Sequence, residues 1–522
     1  MPASPYYNRL MSYRRTIFSF AFGFLLMSML PAHAFAAATF EVTGWLPYWR
    51  GATSTNDVIP HLGELTEVDL FAYSLKNDGT LRDNAGLDKA PWTTLIADAK
   101  AQHVRVVVTV MTSNTSLIHS LLSNTRSRIA LESTITNMVK TNGYDGVDID
   151  FEGKAAEDKN YFSTFLKGLY QRMGSKWVMC DIEARTPVDA RYYGTTVPPD
   201  ATIYANDFTQ INKYCDRVRF MTYDQQGVDQ SLAAAAASSS ELYAPVADPL
   251  WVKKVIQLAE QSISPSKISI GVPTYGYEYN VTAYAGGQYT YDILDVFNPG
   301  YATQIMQQYG VGPPARNIAG EMQLTFPEAT SSAPMTLSQQ VGALVAATAA
   351  SAYADALNSH QTFRLLDWPD AQSIAGKASL AQMLGVRGIS IFKLDGGEDP
   401  NMWTALLGVK GSAFGDGGGP TSGAAAGSTS VSRAPLSRTL TLGSTGEDVR
   451  TLQMILNASA DTAVAASGPG SSGQETTRFG PATLAAVKAF QSKYGIATAK
   501  NPAYGTVGPA TRTKLNALLA SL

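Results

Sequence analysis

Apolar runs recur along the chain, most of them separated by stretches of helical spacing. The runs cover 41–46, 67–74, 104–111, 146–151, 177–182, 217–222, 268–273 and 388–394. Val, Ile and Phe fill them almost continuously, as in strands buried on both faces. Residues 159–173 and 249–262 instead place apolar side chains three and four apart, the spacing of a helix with one buried face. Strands alternating with helices in this way predict an α/β fold of the (β/α)8 TIM barrel type. Such a barrel takes about 250 residues, fewer than lie between 39 and 410, so an insertion is required. The longest gap, about 280–360, precedes the last strand and is rich in Tyr, Gly, Gln, Ser and Ala. It is expected to form a small subdomain beside the cleft.

From 411 to 435 the pattern lapses: 17 of these 25 residues are Gly, Ser or Ala, which marks a flexible linker. Beyond it, 436–522 reads as a second unit. Val449, Leu452, Ile455 and Leu456 fall on one helix face. Gly-Pro-Ala-Thr occurs at 480–483 and again at 508–511, each time putting Pro in the first turn of a helix, where its missing N–H is tolerated. A small C-terminal three-helix domain is predicted. Its basic residues, Arg438, Arg450, Arg478, Lys488, Lys493, Lys500, Arg512 and Lys514, outnumber its acids, Glu447, Asp448, Asp461 and Glu475. That mild positive excess suits an anionic polymer.

Composition narrows the classes of function. The 522 residues carry 40 Lys+Arg against 43 Asp+Glu, a formal net charge of -3, and 45% are hydrophobic. Disorder of the whole chain is excluded by that apolar content, and the charge offers no field for nucleic acid. Arg9, Arg14 and Arg15 precede an apolar run at 16–30 and then small residues at 32–38, the order of a secretory signal peptide over 1–38. The run is shorter than the ~20 residues of a membrane-spanning helix. Cleavage is therefore expected, leaving an exported protein, secreted or cell-wall associated, with no membrane span. Cys180 and Cys215 are too few for a multi-cysteine metal site, and whether they pair is left open. His33, His61, His103, His119 and His360 show no ligand spacing, so no metal or organic cofactor is expected. A monomer is expected.

Candidate chemistry concentrates at 143–152, G-Y-D-G-V-D-I-D-F-E. Side chains two apart in a strand share a face, so Asp148, Asp150 and Glu152 point one way while Val147, Ile149 and Phe151 point the other. In a barrel strand the acidic row lines the interior and ends at the carboxyl end, where barrel enzymes keep their active sites. Burying like charges together is costly unless their pKa values split, and groups so arranged are candidates for acid–base catalysis.

With Asp145 the row reads D-x-x-D-x-D-x-E, which resembles the signature of glycoside hydrolase family 18, the chitinases and related endo-N-acetylglucosaminidases. Residues 218–224 (V-R-F-M-T-Y-D), 267–276 (K-I-S-I-G-V-P-T-Y-G) and 370–377 (D-x-x-S-I-x-x-K) resemble later motifs of that family, and the opening T-G-W-L-P-Y-W at 43–49 is similar to its cell-wall and spore-associated branch. Residues 436–522 resemble a peptidoglycan-binding domain.

The resemblance implies a retaining mechanism in which the substrate's own 2-acetamido oxygen is the nucleophile. Glu152 would be the general acid and then the base, Asp150 would orient the acetamido group, Tyr223 would hold its oxygen, and Asp148 would share a proton with Asp150. Asp145, Met221, Asp224, Tyr275, Phe392, Trp45 and Tyr48 are the expected substrate-binding residues, with Trp45, Tyr48 and Trp49 stacking on sugar rings. Phe392 stands where the family often has Trp, and the third strand lacks the double glycine common in chitinases. The implied activity is hydrolysis of β-1,4 bonds next to N-acetylglucosamine in peptidoglycan. Cleavage of chitin or chitooligosaccharides is the alternative enzyme, and non-catalytic binding of wall glycan the alternative class.

Overall fold

In chain order the strands of the computed structural model are β1 (Glu41–Pro47), β2 (Glu67–Leu75), β3 (Leu81–Asp83), β4 (Arg105–Thr112), β5 (Gly146–Phe151), β6 (Trp177–Glu183), β7 (Arg217–Met221), β8 (Ile268–Pro273), β9 (Gly276–Tyr284), β10 (Gln288–Phe297), β11 (Ala315–Arg316), β12 (Met322–Phe326), β13 (His360–Trp368) and β14 (Gly388–Phe392). The structure describes residues 39–239, 241–327 and 346–410, and all but scattered positions of 436–519. The expected signal peptide and linker lie outside the described residues.

Parallel pairing runs through β1, β14, β8, β7, β6, β5, β4 and β2, and β1 pairs with β2 to close the barrel. β3 folds back antiparallel on β2. The expected barrel strands match within two residues at each end. β5 shows why the alternation works: Val147, Ile149 and Phe151 point outward into the core, where the Phe151 ring stacks 5.5 Å from that of Phe165 on helix Lys159–Met173. Asp148 and Asp150 point inward. Cys180 on β6 and Cys215 ahead of β7 form a disulfide, which resolves the pairing left open by the sequence. Among the described residues no helix is long and apolar enough to cross a membrane.

The insertion is wider than expected. Its strands form a five-stranded antiparallel sheet, ordered β10-β9-β13-β12-β11, which leaves the barrel at Gly276 and returns at Trp368. β9 buries Tyr277, Tyr279, Val281 and Ala283 in alternation, and β13 adds Phe363 and Leu365 to the same cluster. One-sided burial gives alternation rather than continuous apolar runs. Tyr223 belongs to that cluster and Phe392 packs against it, so the inserted sheet reaches the mouth of the barrel.

The chain divides into two compact units, Met1–Gly419 and Pro420–Leu522. In the second, helices Glu447–Asn457, Pro481–Lys493 and Pro509–Leu519 enclose Val449, Leu452, Leu456, Phe479, Val487, Phe490 and Leu515. The repeated Gly-Pro-Ala-Thr has a counterpart in two buried glutamines. The Gln453 amide donates to the Thr483 hydroxyl at 2.9 Å and to the Arg478 carbonyl at 3.0 Å. Gln491 donates to the Thr511 hydroxyl at 3.0 Å and the Thr506 carbonyl at 2.8 Å. Each glutamine thus latches one helix to the Thr of the following repeat.

Candidate active site

Barrel interiors are packed in layers from alternate strand positions, and here the lower layers are charged. At the amino ends of the strands Glu41 accepts from Arg217 at 2.7 Å, and Arg105 reaches Glu67 at 2.7 Å. Above them lies Arg219, 1% exposed, whose guanidinium contacts Glu67, Asp69 at 2.9 Å and Asp148 at 3.0 Å. A buried guanidinium needs such partners, because an uncompensated charge in the interior is costly.

Asp148 is held from three more directions. Its Oδ2 accepts from the Trp45 indole N–H at 2.8 Å and the Thr109 hydroxyl at 3.1 Å, and its carboxyl shares a hydrogen bond with Asp181 on β6. Burial first, then the charges of Asp148 and Asp150, push Asp181 well above the usual carboxylate range, so Asp181 brings the proton to that contact. Sharing between Asp148 and Asp150 was the expectation. Instead Oδ2 of Asp148 is engaged by Arg219, Trp45 and Thr109, and the Asp150 carboxyl bonds upward to Glu152.

Asp150 is 4% exposed, and burial followed by the fields of Glu152 and Asp148 raises its pKa well above normal. Glu152 sits one residue beyond β5, half-buried, its N–H tied to the Thr112 carbonyl at 2.9 Å. Burial, then Glu183, raise its pKa too, with Lys154 opposing. The ladder therefore climbs from an Asp148 paired with Arg219 to Asp150 and Glu152, whose pKa values are both raised, at the carboxyl end of the barrel.

Tyr223 follows β7 and is 9% exposed. Burial and the nearby Asp181, Asp150, Asp224 and Glu152 keep its phenol protonated far above its usual range, so it remains a neutral donor. Its ring stacks 5.5 Å from Phe392, which Trp45, Phe71 and Tyr275 also ring at 5.9, 6.1 and 6.0 Å. Phe392 thus floors the mouth, with half-buried Met221 beside it in the same cluster. Asp224, exposed and at φ 56°, accepts from the hydroxyls of Tyr275 at 2.5 Å and Tyr277 at 2.6 Å.

Two expected contacts are placed elsewhere. Asp145 accepts the Val106 N–H at 2.9 Å at the amino end of the strands. That is seven residues, roughly 23 Å of strand, from Glu152, and Asp216 does the same for Val178 at 2.8 Å. Trp45 is 1% exposed and supports Asp148 from beneath instead of offering a stacking face. Trp49 is 50% exposed and leans edge-on between half-buried Tyr48 and Phe71. The residues not singled out from sequence are Asp69, Asp181 and Arg219 in the interior and Glu183, Lys154 and Asn206 at the rim. A charged residue at an inward position of an otherwise apolar strand, as in V-R-F-M, is the signal that marks the first three.

An acidic ladder rising to two carboxyls with raised pKa values ends at the carboxyl end of a (β/α)8 barrel, where barrel enzymes keep their active sites. The model of the glycosyl hydrolases family 18 matches residues 42–397; the chain belongs to that family. The model of a peptidoglycan binding domain matches residues 445–515. Over 167 residues the chain is 26% identical to the uncharacterized glycosylase YvbX of Bacillus subtilis, covering 32% of this chain and 43% of that protein. Over 235 residues it is 24% identical to a cortical fragment-lytic enzyme of Bacillus cereus, covering 42% and 46%. The chain thus spans about half the length of these curated relatives. The crystal structure of the Bacillus cereus spore cortex-lytic enzyme SleL superposes with a TM-score of 0.51 at 17% identity, covering 71% of this chain and 75% of that one. A chitinase from Chromobacterium violaceum gives 0.52 at 18% identity, with 71% and 98% covered. These structures share the fold.

Proposed function

We propose that this protein is an exported, retaining glycosidase that cleaves β-1,4 bonds next to N-acetylglucosamine in peptidoglycan by substrate-assisted catalysis. The observation that carries the reading is the Asp150–Glu152 pair, both members pushed toward the protonated form, at the barrel mouth beside the neutral phenol of Tyr223. Glu152 protonates the glycosidic oxygen, and its carboxylate then activates water. Between those steps the acetamido oxygen of the bound sugar attacks the anomeric carbon and displaces the leaving sugar. Asp150 leaves the proton it shares with Glu152 on that residue and, as a carboxylate, turns to the acetamido N–H and stabilises the positive ring formed there, while Tyr223 aligns the acetamido oxygen. Asp148, fixed by Arg219 and Trp45, supplies the negative potential beneath them. The Phe392 floor and the exposed face of Trp49 are the aromatic surfaces available for sugar stacking.

The peptidoglycan binding domain supports a wall polymer as substrate, since a tethered module raises the local concentration of the chain it holds. The disulfide supports export, because such bonds persist in oxidising compartments. The test is digestion of purified peptidoglycan and of chitin by the full chain and by Glu152→Gln, with the product anomer followed by proton NMR. Reducing ends from peptidoglycan, β-anomer first, are expected from the wild type and none from the variant. Products from chitin alone would move the substrate to the chitinase alternative. Sedimentation with wall material but no product from either would leave a glycan-binding protein, and product from Glu152→Gln would remove the acid–base role.

A further inference from the structure

The backbone that carries Glu152 is bolted on both sides. Gly153, at φ +64°, gives its carbonyl to the Thr115 hydroxyl at 2.6 Å and its N–H to Glu183 at 3.1 Å. Glu183 closes β6, and its other oxygen accepts from the Asn206 amide at 2.7 Å. Lys154, its side chain wholly buried, points its ammonium at the Phe151 carbonyl and at both Glu183 oxygens, 3.3 and 3.4 Å away, with the Phe162 ring 4.9 Å below. A buried ammonium is tolerated only with such a counter-charge. The pair stands next to the acid at the rim: Glu183 ends the inward row of β6 two residues above Asp181, and Lys154 lies in the turn after β5.

We propose that Glu183 and Lys154 are positioning residues for Glu152: a paired-charge clamp that fixes the turn after β5 and sets the pH range over which Glu152 holds its proton. This rests on the reading of Glu152 as the acid. The charged groups facing Glu152 are Asp150 below it, Glu183 from β6, Asp224 after β7 and Lys154 in its own turn, with the Tyr223 phenol beside them. After burial, Glu183 is the largest cause lifting Glu152, and Lys154 is the largest opposing it. The two partners therefore act in opposite senses. A general acid works below its own pKa, so the basic limb of the pH–rate profile reports the balance.

Glu183→Gln keeps the shape of the clamp but removes the negative charge; Lys154→Met keeps the stem and removes the positive one. The experiment measures kcat/KM against pH on solubilised peptidoglycan. In parallel it follows the 13C-carboxyl titration of Glu152 in full-length protein labelled at glutamate, the resonance being identified by its loss in Glu152→Gln. Glu183→Gln is expected to move the midpoint and the basic limb down by about one pH unit, and Lys154→Met to move both up by a similar amount. Glu183→Asp, which retains the charge, should return the midpoint toward wild type and serves as the second variant should Lys154→Met not fold. Midpoints that stay put, or that move the same way in both variants, overturn the proposal. Hydrolysis with unmoved midpoints sinks this inference alone; moved midpoints without hydrolysis by the wild type sink the proposed function instead.

Discussion

Tyr223 owes its position to the absence of a side chain opposite. A Cβ on Gly271 of β8 would lie 2.4 Å from the Phe220 carbonyl and 2.9 Å from the Tyr223 ring. Gly271→Ala must therefore displace the end of β7 and the Tyr223 ring that follows it. It should cost about 1–3 kcal/mol of stability and, under the proposed mechanism in which Tyr223 aligns the reacting group, lower kcat at least tenfold with a smaller change in KM. Denaturant unfolding and steady-state kinetics on the same preparation check both parts. Trp45→Phe separates support from chemistry: it keeps an aromatic ring against Phe392 but removes the N–H that Asp148 accepts. A loss of about 1–2 kcal/mol is expected, and a loss no larger than that of an exposed aromatic such as Trp49→Phe would show that the indole hydrogen bond does not hold the ladder.

At the scale of elements, what the sequence disclosed follows burial. The eight barrel strands are buried on both faces, so their apolar runs show through, and β5 adds an acidic row whose period of two fixes which face it lines. β9 is buried on one face and interrupts each apolar residue with a polar one, and β10 is mostly exposed, so the insertion was read as a small subdomain without its strands. Spacing also could not tell a substrate contact from a strand clamp: Asp145 belongs to the acidic motif but serves the Val106 N–H. Nor could it supply the partner that decides a charge, because Asp148 lies 71 residues before Arg219 and meets it only inside the closed barrel. The C-terminal helices were legible from their apolar faces, while their glutamine latches needed coordinates. The Gln491 amide nitrogen lies within hydrogen-bond reach of three acceptors, and its oxygen accepts the Gly505 N–H at 2.7 Å. Gln491→Leu should therefore strand buried carbonyls and an amide and cost about 2–3 kcal/mol of the module's stability, read as a lower midpoint for the C-terminal transition in calorimetry of the full chain.

Across the whole molecule the abundance of buried acids ties stability to pH. Asp69, Asp150, Asp181 and Asp367 are all pushed up, chiefly by burial. Glu398, 7% exposed, is raised to about 8 by burial and by its hydrogen bond with Asp57. Such groups bind their proton more tightly in the folded chain than in the unfolded one, so each contributes its full stabilisation below the ordinary value, 4.5 for Glu398, and loses it as pH rises through the folded value, about 8. Stability should therefore decline from mildly acidic toward alkaline pH. Glu398→Gln isolates one share of that decline: the amide can still donate to Asp57 and accept the Asp395 and Gly397 N–H groups, which now reach Glu398 Oε2 at 3.2 and 3.0 Å, but it cannot ionise. The other carboxyls are common to both proteins and cancel in the comparison. Thermal unfolding between pH 5 and 9 should show a wild-type-minus-variant difference in Tm that falls by several degrees as pH rises through 8. A difference that stays constant over that range would mean that the Glu398–Asp57 contact holds no proton.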